Sequence, residues 1–584
     1  MAEDPTRDMK PNGSPFEDSD ANRSTTTTTP TTPSKPAYPT TLAELTIHSL
    51  TDDQSTSTSS HRSSIYKTLS HLRKSTLSIP NRLTSVLQDA EFIESLWRHL
   101  NDHSSLSHSH SHFDSNAPTK DGTWPLIPNE RSGSWPLDPS VKMTSQESYL
   151  PKSPSSSHPS SQPTSPPHSP TTDSAPRLRH QSSQHHNPHP VSAYFKSTDG
   201  HTTQWSFSLR RLNLHLLHLL GSAHGAVLID TTRRGKTYPD ALRRTVPIWT
   251  CVWNRVLFPE VEGSDVCEFQ AFGLDESEKT QIEDRLGRFV EESRGLGLDL
   301  AELRRRAGRP VRCVWVDQPR STEEWEGTAQ GLAAQISSER ERFTAKGVDV
   351  NILVCCSASK VVAGAEMSED GYIQGAGDDG EGWARGLTAR VFWAHKEELM
   401  SAVQSGEDVE GLVDRLVTED KYRSSYGPGH SVLVAPTRNL YVGFGEGVLA
   451  DHDFDLVIDV NALHDEPQLK LLGMRCKEGK IGSKMMRERL PQIAARAEKQ
   501  LRTWPEKKIL VKCSTGKDLS VGVVLVILCC FYADDGQVSF PQTHSVDKQF
   551  IKQRLAWITS SKPEANPSRA TLQAVNSFLI GRPD

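Results

Sequence analysis

Lys512 to Ser520 read Lys-Cys-Ser-Thr-Gly-Lys-Asp-Leu-Ser, between an apolar strand-like run, Ile509 to Val511, and an apolar helix-like run, Val521 to Phe531. That order builds an anion nest. Successive backbone N–H groups turn towards one point, and the positive end of the helix dipole favours negative charge there. Around this segment the chain has to fold as an α/β layer.

The loop also resembles the catalytic loop of cysteine-dependent phosphatases. They use His-Cys, five residues, then Arg, so that a thiolate attacks phosphorus while the guanidinium clamps the oxygens. Here Cys513 is present, but Lys512 takes the His position and Leu519 the Arg position. The cradle is kept without the group that neutralises phosphoryl charge. Cys513 therefore reads either as a nucleophile at a helix N-terminus or as a structural or phosphate-contacting residue.

A chain of 584 residues with 35 % hydrophobic content and 37 prolines is too polar to fold along its whole length. A formal charge of −7 argues against indiscriminate coating of nucleic acid, so any RNA contact has to come from local basic patches. The nine cysteines include no Cys-x-x-Cys pair, which points to a reduced, cytoplasmic protein without structural zinc. No apolar run approaches a membrane span, and no membrane association is expected.

Residues 1–60 are rich in Ser, Thr and Pro and are expected to be disordered. Within Ile65 to Trp97, Leu83, Val86, Leu87, Ala90, Ile93 and Leu96 recur at helical spacing. Residues 101–190 return to low complexity, a disordered insertion interrupted by an ordered-looking island, Asp121 to Trp135. His108, His110 and His112 in it alternate with serines and read as a solvated tract rather than a metal site.

From Ala193 onward, strand and helix patterns alternate. Leu209, Leu212, Leu216, Leu219 and Leu220 make a helix face; Ala226 to Asp230, Val311 to Val316 and Val350 to Cys355 are short apolar strands. Thr418 to His430 reads as a linker. The expected organisation is an N-terminal α/β domain over 61–425 and a C-terminal, phosphatase-like α/β domain over 436–584.

Four segments could carry chemistry. Tyr194 to His201 supplies Lys196, Asp199 and His201: a cation, a carboxylate and a titratable base in one turn, which alone also reads as plain surface. Asp230-Thr231-Thr232-Arg233-Arg234-Gly235-Lys236 leaves a strand end and suits a polyphosphate, with Asp230 for a divalent metal and the Arg and Lys side chains for oxygens. Ile373 to Gly380 sets Asp378 and Asp379 between glycines, as metal ligands, as a general base or as an acidic loop. Lys477 to Lys508 holds ten Lys or Arg against four Glu, a phosphate-backbone footprint or a solvated helix face.

Together these segments resemble the fungal and plant initiator-tRNA 2′-O-ribosyl phosphate transferases. The resemblance rests on Tyr-Phe-Lys-Ser-Thr-Asp-Gly-His at 194–201, Pro-Ile-Trp-Thr-Cys-Val at 247–252, Tyr-Ile-Gln-Gly-Ala-Gly-Asp-Asp at 372–379, Gly-Lys-Asp-Leu-Ser-Val-Gly at 516–522 and Asn-Pro-Ser-Arg-Ala-Thr-Leu-Gln at 566–573. It implies a family-specific N-terminal domain and a C-terminal domain shaped like a dual-specificity phosphatase. It further implies transfer of ribose 5-phosphate from phosphoribosyl pyrophosphate to the 2′-hydroxyl of a T-stem adenosine, position 64, of cytoplasmic initiator tRNA, which bars that tRNA from elongation.

Such chemistry needs a base, a metal on the pyrophosphate and a phosphate cradle. Asp378, Asp379 or His201 would be the base. Asp230 with Mg²⁺, together with Thr231, Thr232, Arg233, Arg234 and Lys236, would hold the pyrophosphate. Lys196 and Asp199 would line the substrate; Ser514, Thr515, Gly516, Lys517 and Asp518, with Arg569, would cradle a phosphate of the donor or of the tRNA. The alternatives are a true cysteine phosphatase and a non-catalytic tRNA-binding protein.

Overall fold

Two sheets organise the chain. In the computed structural model, the described residues are 77–101, 123–146, 191–197, 205, 207–267, 276–363, 367–378, 380–426, 430–445, 453–465, 470–540 and 545–581. The disorder expected for 1–60 and the three alternating histidines lie outside them.

The first sheet has four parallel strands in the order β1 (Leu126–Pro128), β2 (Gly225–Asp230), β4 (Asn351–Ser357), β3 (Val311–Asp317). Its strands are continuous apolar runs because both faces are covered. Along β2, Ala226 and Leu228 pack into one core with the helices Leu214–Ala223, Val246–Leu257 and Glu276–Arg294. Val227 and Ile229 face the other way, onto the helices Ile79–Asn101 and Trp325–Thr344. The period of two in side-chain direction thus divides one strand between two cores.

The second sheet runs β5 (His430–Leu433), β6 (Leu440–Phe444), β9 (Ile509–Cys513), β7 (Leu456–Asp459), β8 (Leu471–Gly473), parallel except for the β5–β6 pair. The helix Leu519–Phe531 is buried at every residue but Cys530. It is apolar all round because it has the sheet on one side and the helices Gly479–Thr503, Lys548–Ser561 and Arg569–Ile580 on the others.

Most strands fall where the sequence places them; three features differ. The island Asp121 to Trp135 contributes β1, an edge strand of the first sheet, and continues into a helix, Pro139–Gln146. The ordered island expected within the insertion is therefore longer, running on to Gln146. The expected linker Thr418 to His430 is largely helix, Val409–Tyr426, whose apolar residues Val409, Val413, Leu416 and Val417 join a core with Leu83 and Val86. The second sheet begins at His430, ahead of residue 436, because β5 pairs with β6 across a short turn.

Candidate functional sites at the carboxyl ends of the two sheets

At the carboxyl end of β2, Asp230 is fully buried, and its two oxygens face four donors. Asn129 Nδ2 donates at 2.9 Å, Ser132 Oγ at 2.7 Å and the Thr231 N–H at 2.9 Å, while Arg131 Nε stands 3.6 Å away. Burial holds the carboxyl above its ordinary value, against the opposing pull of Arg131 first and then of the three hydrogen bonds. This is the setting of a paired structural anion. It does not fit the expected metal role, since a cation would have to displace donors that point at the same oxygens. Among the described residues no group of three or more His, Cys, Asp or Glu side chains could hold a metal ion.

Arg131 is the hub of the site. It reaches Asp378 Oδ1 at 3.0 Å and the Thr231 carbonyl at 2.6 Å as well as Asp230. Arg233 approaches Asp378 from the other side at 3.5 Å. Both Asp378 oxygens are thus taken up by guanidinium groups. Asp378 therefore leaves the set of candidate bases and becomes the anchor that aims two arginines. Asp379, His201 and Asp199 lie outside the described residues.

The remaining members converge on the same end of the sheet. Gln374 Oε1 accepts from the N–H groups of Gly235 and Val362, and its Nε2 donates to the Lys236 carbonyl at 2.7 Å, so one buried amide ties the 230–236 loop to the 372–378 loop. Gly375 allows this approach: it has φ +64°, and a Cβ there would sit 2.4 Å from the Thr232 carbonyl oxygen. Asn129 clasps the Phe195 N–H and C=O at 2.9 and 3.0 Å, which brings the exposed Lys196 alongside. Arg234 is exposed with φ +61°, and Lys236 stands 3.8 Å from Asp240. Sequence reasoning missed Asn129, Arg131 and Ser132. The signal was the ordered island itself, a short structured string inside low-complexity sequence.

The second site is the loop after β9. Cys513 is buried, its sulfur 3.1 Å from Ser520 Oγ and accepting the Gly516 N–H at 3.2 Å. Asn461 Oδ1 takes the Ser514 N–H at 2.8 Å. Lys512 is buried and stands 3.6 Å from Asp459, and Leu519 packs into the core. The nest expected over Ser514 to Lys517 thus has part of its donors committed internally, while Thr515 and Lys517 are exposed on its rim. Asp518 occupies the N-cap position of the following helix but does not cap it. Its Oδ1 accepts from the Ser568 N–H at 2.8 Å and the Thr571 hydroxyl at 2.6 Å, holding the start of the last helix and the exposed Arg569 beside the loop.

A bridge joins the two ends. Arg211 Nε donates to Asn566 Oδ1 at 3.2 Å, Arg210 to the Pro567 carbonyl at 3.2 Å, and the Asn566 N–H to the Lys517 carbonyl at 2.7 Å. Gln549 and Gln553 both donate to the Gly295 carbonyl, at 2.7 and 2.9 Å.

Comparison with known proteins fits this two-part arrangement. A family model described as the Rit1 N-terminal domain matches residues 183–418, and one described as the Rit1 DUSP-like domain matches residues 470–579. An uncharacterized protein of Schizosaccharomyces pombe is 32% identical over 409 residues, covering 67% of this chain and 84% of that protein. The tRNA A64-2′-O-ribosylphosphate transferase of Saccharomyces cerevisiae is 28% identical over 435 residues, covering 67% of this chain and 83% of that protein. Among solved structures, human DUSP28 is 16% identical, covering 26% of this chain and 95% of its own, with a TM-score of 0.21. The Yvh1 phosphatase domain of Chaetomium thermophilum is 18% identical over 26% of this chain and 97% of its own, with a TM-score of 0.22. With both domain models matched in order and a relative at 32% identity covered over most of its length, the chain belongs to the Rit1 family, as a mixed α/β protein with a DUSP-like C-terminal domain.

Proposed function

We propose that this enzyme is a glycosyltransferase of tRNA, moving ribose 5-phosphate from phosphoribosyl pyrophosphate to the 2′-hydroxyl of adenosine 64 in cytoplasmic initiator tRNA. The observation that supports it most is the arginine pair anchored on Asp378 at the carboxyl end of a parallel sheet, in a chain whose yeast relative is named for A64 2′-O-ribosylphosphate transfer. Open α/β sheets bind ligands in that position.

In the step itself, the tRNA 2′-oxygen forms a bond to the anomeric carbon of the donor ribose, the bond from that carbon to the pyrophosphate oxygen breaks, and the 2′-hydroxyl proton passes to a base. Arg131, Arg233 and Lys236 oppose the charge that gathers on the departing pyrophosphate. They do so without reorganising, because Asp378 and the Gln374 clasp already hold that region. Mg²⁺ would have to be carried by the donor pyrophosphate, whose charge it would offset, since the Asp230 oxygens are already taken up by Asn129, Ser132 and Thr231. The proton acceptor is Asp379 or His201.

The phosphatase reading loses its support at Leu519, which packs into the core where that chemistry needs a guanidinium. The test is incubation of initiator tRNA with the protein, Mg²⁺ and labelled phosphoribosyl pyrophosphate. Label on adenosine 64 is expected; no label on the tRNA would overturn the proposal.

A further inference from the structure

The first turns of the helix Gly479–Thr503 are bolted to the loop that follows β9. Ser514 Oγ donates to Glu478 Oε1 at 2.5 Å, and Ser483 Oγ lies 3.0 Å from Thr571 Oγ1, which itself donates to Asp518. Gly482 fits directly over Leu519, where a Cβ would come within 3.0 Å of the leucine Cδ1. This docking leaves one face of the helix start turned outward. Lys477, Lys480 and Lys484 follow one another at three- and four-residue spacing with Ile481 next to Lys480, and all four are exposed, Ile481 by 65 %.

Lysines outnumber acids on this face: Glu478 is held by Ser514, and Glu488 lies one turn beyond Lys484. Further along the same helix Arg502 pairs with Glu498 at 2.8 Å, whereas no ion pair joins Lys477, Lys480 or Lys484 to an acid among the described residues. On the other flank of the loop, β6 ends at Phe444, whose ring is 40 % exposed beside Gly516 and 5.7 Å from Lys562 Nζ. The exposed Lys517 lies between the two flanks. The chain carries a formal charge of −7, so this patch runs against its overall sign. Cations in a row with an apolar side chain among them make a surface for the phosphate backbone of RNA.

We infer that the DUSP-like domain carries the RNA-docking surface of this protein, formed by Lys477, Lys480, Lys484 and Lys517, while the Asp378-anchored arginines serve the sugar donor. This rests on the proposed reaction and divides its two substrates between the two sheet ends. The internally bonded nest at Cys513 then acts as the rigid floor of the surface. Contacts of this kind follow the backbone and carry no sequence information, so initiator and elongator tRNAs engage the patch alike.

The test is filter binding of unmodified initiator and elongator tRNA transcripts to the full chain across a salt series, with the variant Lys480→Gln/Lys484→Gln. Both positions are exposed helix surface, and melting temperature checks the fold. Each lost phosphate contact lowers the slope of log affinity against log salt by about 0.9, so a fall of about two is expected, with roughly fiftyfold weaker binding near 0.1 M salt, equal for both tRNAs. Protection against thermal unfolding by Mg²⁺-phosphoribosyl pyrophosphate is expected to persist. Unchanged tRNA affinity and slope, or loss of donor protection with tRNA binding intact, would overturn the inference. So would unchanged tRNA binding with capture of the wild-type chain by anionic phosphatidylserine vesicles. A wild-type chain that binds tRNA through this patch and yet transfers no label would refute the reaction and leave the surface standing.

Discussion

Replacing Arg131 by Met removes the cation shared by two buried carboxylates and keeps most of the side-chain volume. Arg131 is 22% exposed, Asp230 0% and Asp378 5%, so little solvent screens the pairs. Breaking a buried ion pair costs on the order of 3–5 kcal/mol. Asp378 keeps Arg233, and Asp230 keeps Asn129, Ser132 and the Thr231 N–H, which places the loss at the lower end, about 3 kcal/mol. For a domain of this size that is a fall in melting temperature of roughly 6–9 °C.

The pH dependence has a definite sign. Burial already raises the Asp230 carboxyl, and Arg131 is the foremost group pulling it back, so the variant raises it further. The folded variant then keeps a proton that the unfolded chain releases above its ordinary carboxylate value, and stability falls as pH rises through that interval. The penalty of Arg131→Met should be smallest near pH 4 and largest at neutral pH and above. Chemical denaturation of Arg131→Met, Asp378→Asn and the double variant measures the coupling, expected to be at least about 1 kcal/mol. Additivity within about 0.5 kcal/mol, or a penalty that shrinks with rising pH, would refute the arrangement.

Three further outcomes follow from particular contacts. Asp89 is buried, accepts from Tyr372 Oη at 2.6 Å and has a second oxygen without a hydrogen-bond partner; burial raises its carboxyl well above the ordinary value, so wild-type stability should decline as pH rises from the acid range. Asp89→Asn should flatten that decline, by about 1.4 kcal/mol for each unit the carboxyl is raised, in thermal melts from pH 4 to 8. Gly375→Ala puts a Cβ against the Thr232 carbonyl at positive φ and should lower stability by at least about 2 kcal/mol in denaturant titration and impair transfer with it. Cys513→Ser should leave transfer unchanged, and the wild-type chain should not cleave an aryl phosphate; cleavage that disappears in the variant would restore the phosphatase reading.

The pattern of apolar runs made most of the two sheets legible, because a strand covered on both faces has no polar alternation to disguise it, as in Ala226 to Ile229. The strands that escaped are short. β1 has three residues, and its side chains acquire meaning only through pairing with Val227, Leu228 and Ile229, a hundred residues away in the chain. At the site, 230–236 was legible as an anion-suited loop and 373–380 as a glycine-rich acidic one, but the roles within them were not. Asp378 reads as a base in isolation and as an anchor once Arg131 stands 3.0 Å from it, and Arg131 comes from a segment whose neighbours carry no pattern. Asp518 shows the same limit. Its position marks a helix start, yet the donors that claim it belong to Ser568 and Thr571.

The C-terminal loop is held by residues that phosphatase chemistry would not use. In a phosphatase the residues at the positions of Lys512 and Leu519 serve the reaction directly, so their replacement would leave an ordinary catalytic loop idle. Here both replacements have structural roles: Lys512 stands beside Asp459, whose Oδ1 fixes the turn through the N–H groups of Asn461 and Ala462, and Leu519 fills the core beneath Gly482. Asn461 in turn holds the Ser514 N–H, and the Lys517 carbonyl receives Asn566 from the segment that Arg210 and Arg211 grip. The loop thereby links the second sheet to the segment that Arg210 and Arg211 grip. A defect in that link, such as Asn566→Ala, should weaken transfer more than it weakens binding of either substrate alone, because each site would remain while their spacing would not.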